Sequence, residues 1–81
     1  MSDSQNMSDE VRARLRAIPS VNELLAEWPV VKAAGETCDA VVHAAVTAEL
    51  DEERAAIRAG AAPRSKRELA SAIEWRAHRS A

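Results

Sequence analysis

Three side chains in this 81-residue sequence carry the soft or imidazole groups used in metal binding and nucleophilic catalysis: Cys38, His43 and His78. Their spacing matches no zinc pattern, which needs Cys or His ligands paired at short intervals. Cys38 and His43 would work as nucleophile and base only if they met. Five residues of helix turn through about 500°, which leaves the two about 140° apart. The plainer reading makes Cys38 a small packing residue and His43 a surface side chain. Adjacent carboxylates such as Glu52 and Glu53 diverge on a helix instead of converging on one substrate. Gly35 and Gly60 are the only glycines, so there is no Gly-rich phosphate loop. No catalytic residue and no metal site is assigned, and the chain alone is not expected to catalyse a reaction.

What remains is binding, and the groups suited to it are arginines. Arg54 and Arg58 are four residues apart, on one edge with His43 and Thr47. A like-charge pair at that spacing is unfavourable in an isolated helix. It is either offset by Asp51, presented to an anion, or solvated near a helix C-terminus, where cations are favoured. Arg12 and Arg16 repeat the spacing upstream. A phosphate backbone is held by several such groups on one surface. Trp28 has two readings, a base-stacking ring or a core or hinge anchor beside Pro29.

The elements that must position these groups are all helical. Residues 1–7 read as a disordered leader. Ser8 is placed to cap a first helix to about Ala17, with Asp9 and Glu10 in its first turn. Pro19 cannot continue it. Ser20 and Glu23 form a Ser-x-x-Glu capping box that starts a second helix, about 20–27. Pro29–Ala34 reads as a third, with Gly35 as its terminator. The main element is a helix over about 37–59, with Val42, Val46, Leu50 and Ile57 on one face. Gly60 closes it and Pro63 prevents resumption. A second box, Ser65 to Glu68, starts a last helix with Leu69, Ala72, Ile73 and Arg76 on one side. Glu53 interrupts the apolar stripe of the long helix, so that helix must be solvent-facing or salt-bridged at this level. The expected fold is all-α, a small bundle of four to five helices with one long helix. The expected organisation is a leader at 1–7, a helical domain at 8–60, and a linker with a C-terminal helix at 61–81.

Composition bounds the rest. Large apolar residues are few, with seven Val, five Leu, three Ile and no Phe or Tyr, so any core is thin. Cys38 is the single cysteine, which excludes an internal disulfide and fits a reducing compartment. The polar first ten residues are unlike a signal peptide, and no apolar run approaches membrane-spanning length. A soluble, cytoplasmic chain with no membrane partner is expected. The net charge of −2 excludes a strongly basic nucleic-acid binder. The charge is unevenly spread, however: residues 19–60 hold eight acids against Lys32, Arg54 and Arg58, while residues 11–18 and 61–81 are basic. Local patches must carry any electrostatic recognition.

The block Leu15-Arg16-Ala17-Ile18-Pro19-Ser20-Val21-Asn22-Glu23-Leu24-Leu25 resembles the opening of the N-terminal domain of bacterial L-seryl-tRNA(Sec) selenium transferase, or selenocysteine synthase. That family typically reads Leu-Arg-x-Leu-Pro-Ser-Val-Asp-x-Leu-Leu. The likeness continues without a gap to Glu49–Arg58, where the family carries a Leu-Asp-Glu-Leu-Arg-type run with Leu in place of Glu53. Before the long helix, Thr37-Cys38-Asp39 stands where the family usually has Tyr-Gly-Arg.

The resemblance implies a helical domain that grips the elbow of the selenocysteine-specific tRNA. It thereby positions seryl-tRNA(Sec) for conversion to selenocysteyl-tRNA(Sec), with selenophosphate as selenium donor. By this likeness Arg16, Arg54 and Arg58 are RNA contacts, and Arg12 joins them by its place beside Arg16. The family enzyme is a homo-oligomer and holds pyridoxal phosphate on a lysine of a separate catalytic domain. Lys32 and Lys66 do not match that site, so no cofactor is expected in this chain. Its expected partners are tRNA(Sec) and the parent's catalytic domain. The alternative is a helical protein-interaction module packing on a neighbouring subunit or domain. A helix-turn-helix DNA reader is poorer, because the candidate recognition helix opens with Asp39 where basic or amide groups are needed.

Overall fold

A computed structural model describes residues 9–80. They form five helices: α1 (Asp9–Arg16), α2 (Val21–Leu25), α3 (Trp28–Glu36), α4 (Asp39–Arg58) and α5 (Lys66–Ser80). No strand occurs among the described residues, and the all-α bundle with one long helix is the observed architecture. The expected leader at 1–7 and the Ser8 cap lie outside the described residues.

Local chemistry explains the boundaries. At α2, the Glu23 N–H donates to Ser20 Oγ (3.1 Å) and the Ser20 N–H donates to Glu23 Oε1 (2.8 Å). Ser65 and Glu68 repeat the box at α5 with the same two distances, 2.8 and 3.1 Å. Each box satisfies two backbone donors that a helix start leaves free. At the other end of α4, Gly60 has φ +108°. The Ala61 N–H donates to the Ala56 carbonyl and the Gly60 N–H to the Ile57 carbonyl. This is a Schellman stop, which needs a left-handed residue at the glycine position.

Two expectations are corrected. Gly35 does not end α3, which runs on to Glu36. The stop is Thr37, whose N–H and hydroxyl both donate to the Ala33 carbonyl at 2.9 and 2.8 Å. Cys38 is not a packing residue: it is exposed and occupies the N-cap of α4 in extended backbone geometry.

The core gathers one stripe from each of α2 to α5. Leu24, Val30, Val46, Leu69 and Ile73 are fully buried, with Val42 and Leu50 nearly so. Small residues complete it: Ala33, Ala70 and Ala77 are also fully buried, so the helices approach closely. α5 packs on both α3 and α4, and α1 lies against α4. Along α3 and α5, Glu27 faces Lys66 (3.9 Å), Lys32 faces Glu74 (3.1 Å) and Glu36 faces His78 (2.9 Å). The pairs ascend together in both helices, so α3 and α5 run parallel, with α4 returning between them.

The interruption at Glu53 is resolved by ion pairing. Glu53 and Glu49 are only 3% and 5% exposed. Arg64 donates from Nε to Glu53 Oε1 (2.8 Å) and from Nη2 to Glu49 Oε2 (2.7 Å), and its backbone N–H donates to Glu53 Oε2 (2.8 Å). Arg76 donates from Nε to Glu49 Oε1 (3.0 Å) and pairs with Glu52 at 2.6 Å. The connection 61–65 and α5 are thereby fastened to α4 by charge-assisted bonds, the stronger class of hydrogen bond.

Candidate nucleic-acid interface

The four arginines picked out in the sequence fall on α1 and on the C-terminal half of α4. Arg14 fixes their relation. It pairs with Glu10 at 2.7 Å and reaches to 3.5 Å from the Gly60 carbonyl, which sets α1 beside the end of α4. Arg12 and Arg16 are exposed and, being one turn apart on α1, project on the same side. Arg54 and Arg58 are exposed on the last turns of α4. The structure therefore sets α1, through Arg14, beside the end of α4 that carries Arg54 and Arg58, while Arg12 and Arg16 lie about 200° around α1 from Arg14.

Their electrostatic states differ. Arg54 Nη1 bonds Asp51 Oδ1 at 3.0 Å, an exposed pair that water competes with readily. Arg12, Arg16 and Arg58 have no ion-pair partner among the described residues. Arg64 and Arg76 are different. Burial pulls against the Arg64 charge, but its hydrogen bonds to Glu49 and Glu53 outweigh that and raise its pKa. The hydrogen bonds of Arg76 to Glu52 and then Glu49 raise its pKa too. These two are committed to the fold, whereas Arg12, Arg16 and Arg58, together with Arg67 and Arg79 on α5, are exposed and carry no ion pair among the described residues.

A groove of about 610 Å³ adjoins Arg16, lined also by Pro19, Glu23, Pro63, Lys66 and Glu68. The first turn of α5 opens onto it and adds the positive end of a helix dipole. The acids in its wall, Glu23 and Glu68, are held by the backbone N–H groups of Ser20 and Ser65. Sequence reasoning missed Lys66 as a neighbour of Arg16. No local signal could find it, because the two meet only when the 61–65 connection folds back. Asp39 sits at the far end of α4. Nineteen residues of helix put it about 28 Å from Arg58. His43 is exposed nearer that far end and is not part of the arginine cluster.

The rings are arranged otherwise than expected. Trp28 is 69% exposed and is not a core anchor. The apolar side of α3 is set by Val30 and Ala33, and Trp28 lies about 200° around the helix from Val30, which turns it outward. Trp75 on α5 is 67% exposed and Val31 44%. No helix among the described residues is long and apolar enough to cross a membrane.

Comparison with curated proteins and with solved structures gives no match. A family model does match, over the segment that carries the Ser20 box, α3 and the apolar stripe of α4 through Arg54. That family is described as selenocysteine synthase N terminal; its model matches residues 15–54, which ties that segment to selenocysteine synthesis.

Proposed function

We propose that this chain is a tRNA-recognition domain of a selenocysteine synthase, positioning seryl-tRNA(Sec) for the parent's catalytic domain. The observation that carries the reading is the exposure of Arg12, Arg16 and Arg58, unpaired among the described residues, and of the loosely held Arg54, on two helices that pack together. A few guanidinium groups on one surface suit the phosphates of a folded RNA, whose shape can be read without aromatic stacking. In this reading the chain works in the cytoplasm, where its tRNA is. Pyridoxal phosphate belongs to the catalytic domain of a homo-oligomeric parent. Lys32 and Lys66 do not fit that cofactor, since both are surface amines facing carboxylates, Glu74 and Glu27.

The test is a fluorescence-anisotropy titration of labelled tRNA(Sec) and of an ordinary serine tRNA. Binding is expected to be weak and to favour tRNA(Sec). Four neutralised phosphates give a log–log salt slope of about −3 to −4. Charge reversal of Arg54 together with Arg58 should cut the slope by about two. Equal affinity for both tRNAs, or an unchanged slope in the double variant, would overturn the proposal.

One observation favours a second reading, that of a protein-interaction module. Trp28 on α3 and Trp75 on α5 are the only aromatic residues, and both are largely exposed. Exposed Trp side chains are the type that anchors protein interfaces. If Trp28→Ala and Trp75→Ala abolish association with the catalytic domain while tRNA binding persists, both readings hold on separate faces.

A further inference from the structure

We propose that Glu36, Glu74 and His78 form a divalent transition-metal site bridging α3 and α5, with Zn²⁺ as the best-fitting ion. One ligand atom from each of the three lies within 4.8 Å of the others. His78 Nε2 is already 2.9 Å from Glu36 Oε1. Ligands around a tetrahedral zinc, with bonds of about 2.0–2.1 Å, stand about 3.3 Å from one another. Small rotations of half-exposed side chains therefore close the site.

The fold prepares it. Glu74 and His78 are one turn apart on α5 and lie one above the other. Glu36 comes from the parallel helix α3. Ala33, one turn before Glu36, and Ala77, next to His78, are both fully buried, so the two backbones are fixed where the ligands meet. One imidazole and two carboxylates favour zinc over magnesium or calcium, which prefer oxygen alone. Solvent can supply a fourth ligand at this exposed position.

The carboxylates already hold a cation. Lys32 Nζ sits 3.1 Å from Glu74 Oε2. Its hydrogen bond to Glu74, and then the charges of Glu74 and Glu36, raise the Lys32 pKa. Lys32 is thus the internal competitor that a metal ion must displace from Glu74. This site lies on the α3–α5 edge and shares no residue with the arginine cluster, so the two proposals stand or fall separately.

Isothermal titration of ZnCl₂ into the full chain tests it, with circular dichroism to confirm that each variant is folded. Saturable one-to-one binding is expected, with a melting temperature that rises with zinc concentration. Outer partners of metal ligands cost about 10–100-fold in affinity when removed, so His78→Ala and Glu36→Gln should each weaken binding at least tenfold. Lys32→Gln should tighten it, while Cys38→Ser and His43→Ala should leave it unchanged. Absence of saturable binding up to about 1 mM zinc would overturn the site. So would wild-type affinity in both His78→Ala and Glu36→Gln, or loss of binding in Cys38→Ser.

Discussion

Replacing Arg64 with alanine puts the buried ion network to a quantitative test. The change removes the Nε bond to Glu53 (2.8 Å) and the Nη2 bond to Glu49 (2.7 Å). Glu53 keeps the backbone N–H of residue 64, and Glu49 keeps Arg76. Each lost bond to a charged group is worth about 1.5–3 kcal/mol, and breaking a fully buried pair costs about 3–5 kcal/mol. The Arg64 side chain is 36% exposed, so water partly replaces it and the estimate falls to about 2–3 kcal/mol. For a domain of this size that is a drop of about 10–20 °C in Tm. The assay is urea denaturation followed by circular dichroism at low temperature, where the weakened protein stays folded. Arg58→Ala is the control, expected within about 0.5 kcal/mol of wild type. Glu53→Leu should cost less than about 1 kcal/mol, because an apolar side chain of similar volume needs no partner. Combined with Arg64→Ala it should restore part of the loss, a non-additive outcome. If Arg64→Ala costs no more than Arg58→Ala, the burial of Glu49 and Glu53 does not depend on Arg64 and the reasoning fails.

Further outcomes follow from single positions. Gly60→Ala should lose about 1 kcal/mol or more in denaturant melts, because φ +108° strains any Cβ even though open space surrounds it. Ser65→Ala should cost about 1 kcal/mol by removing the α5 cap, with faster amide exchange confined to the first turn of that helix. Lys32 should give an alkaline signature. Its folded pKa is raised from 10.5, so its stabilising contribution is complete below that value and vanishes as pH climbs through the higher folded one. Wild type and Lys32→Gln should therefore differ in stability at neutral pH and converge in strong alkali. A constant difference across the range would remove the Glu74 pairing as its cause.

Much of the fold was legible because it is written in local chemistry. The Ser20–Glu23 and Ser65–Glu68 boxes, the breaks at Pro19 and Pro63, and the stop at Gly60 each act within a few residues. The stripe Val42, Val46, Leu50 and Ile57 follows from helical period alone. The misjudged positions depend on something further away. Trp28 turns outward because Val30 and Ala33 claim the inner side of α3. Thr37, not Gly35, ends that helix because its hydroxyl reaches the Ala33 carbonyl. Glu53 could be recognised as needing a partner, but Arg64 is found only when residues 61–65 fold back on α4. Glu49 was passed over although helical period puts it on the same stripe, seven residues after Val42 and four before Glu53. The arginines were readable as candidates, whereas the approach of α1 to the end of α4 depends on Arg14 reaching Gly60.

The ascending pairs between α3 and α5 have a consequence for how this domain can vary. Because α4 alone carries the chain back from the top of α3 to the foot of α5, its residue count is a measured distance. One residue inserted between Val46 and Glu49 would rotate everything beyond it by about 100° and swing both carboxylates into water. Seven inserted residues would restore the angle but start α5 about 10 Å further toward the foot of α3, so that Glu74 would fall short of Lys32. Length changes should therefore collect outside α4, at the chain ends and in the stretch around Ala61.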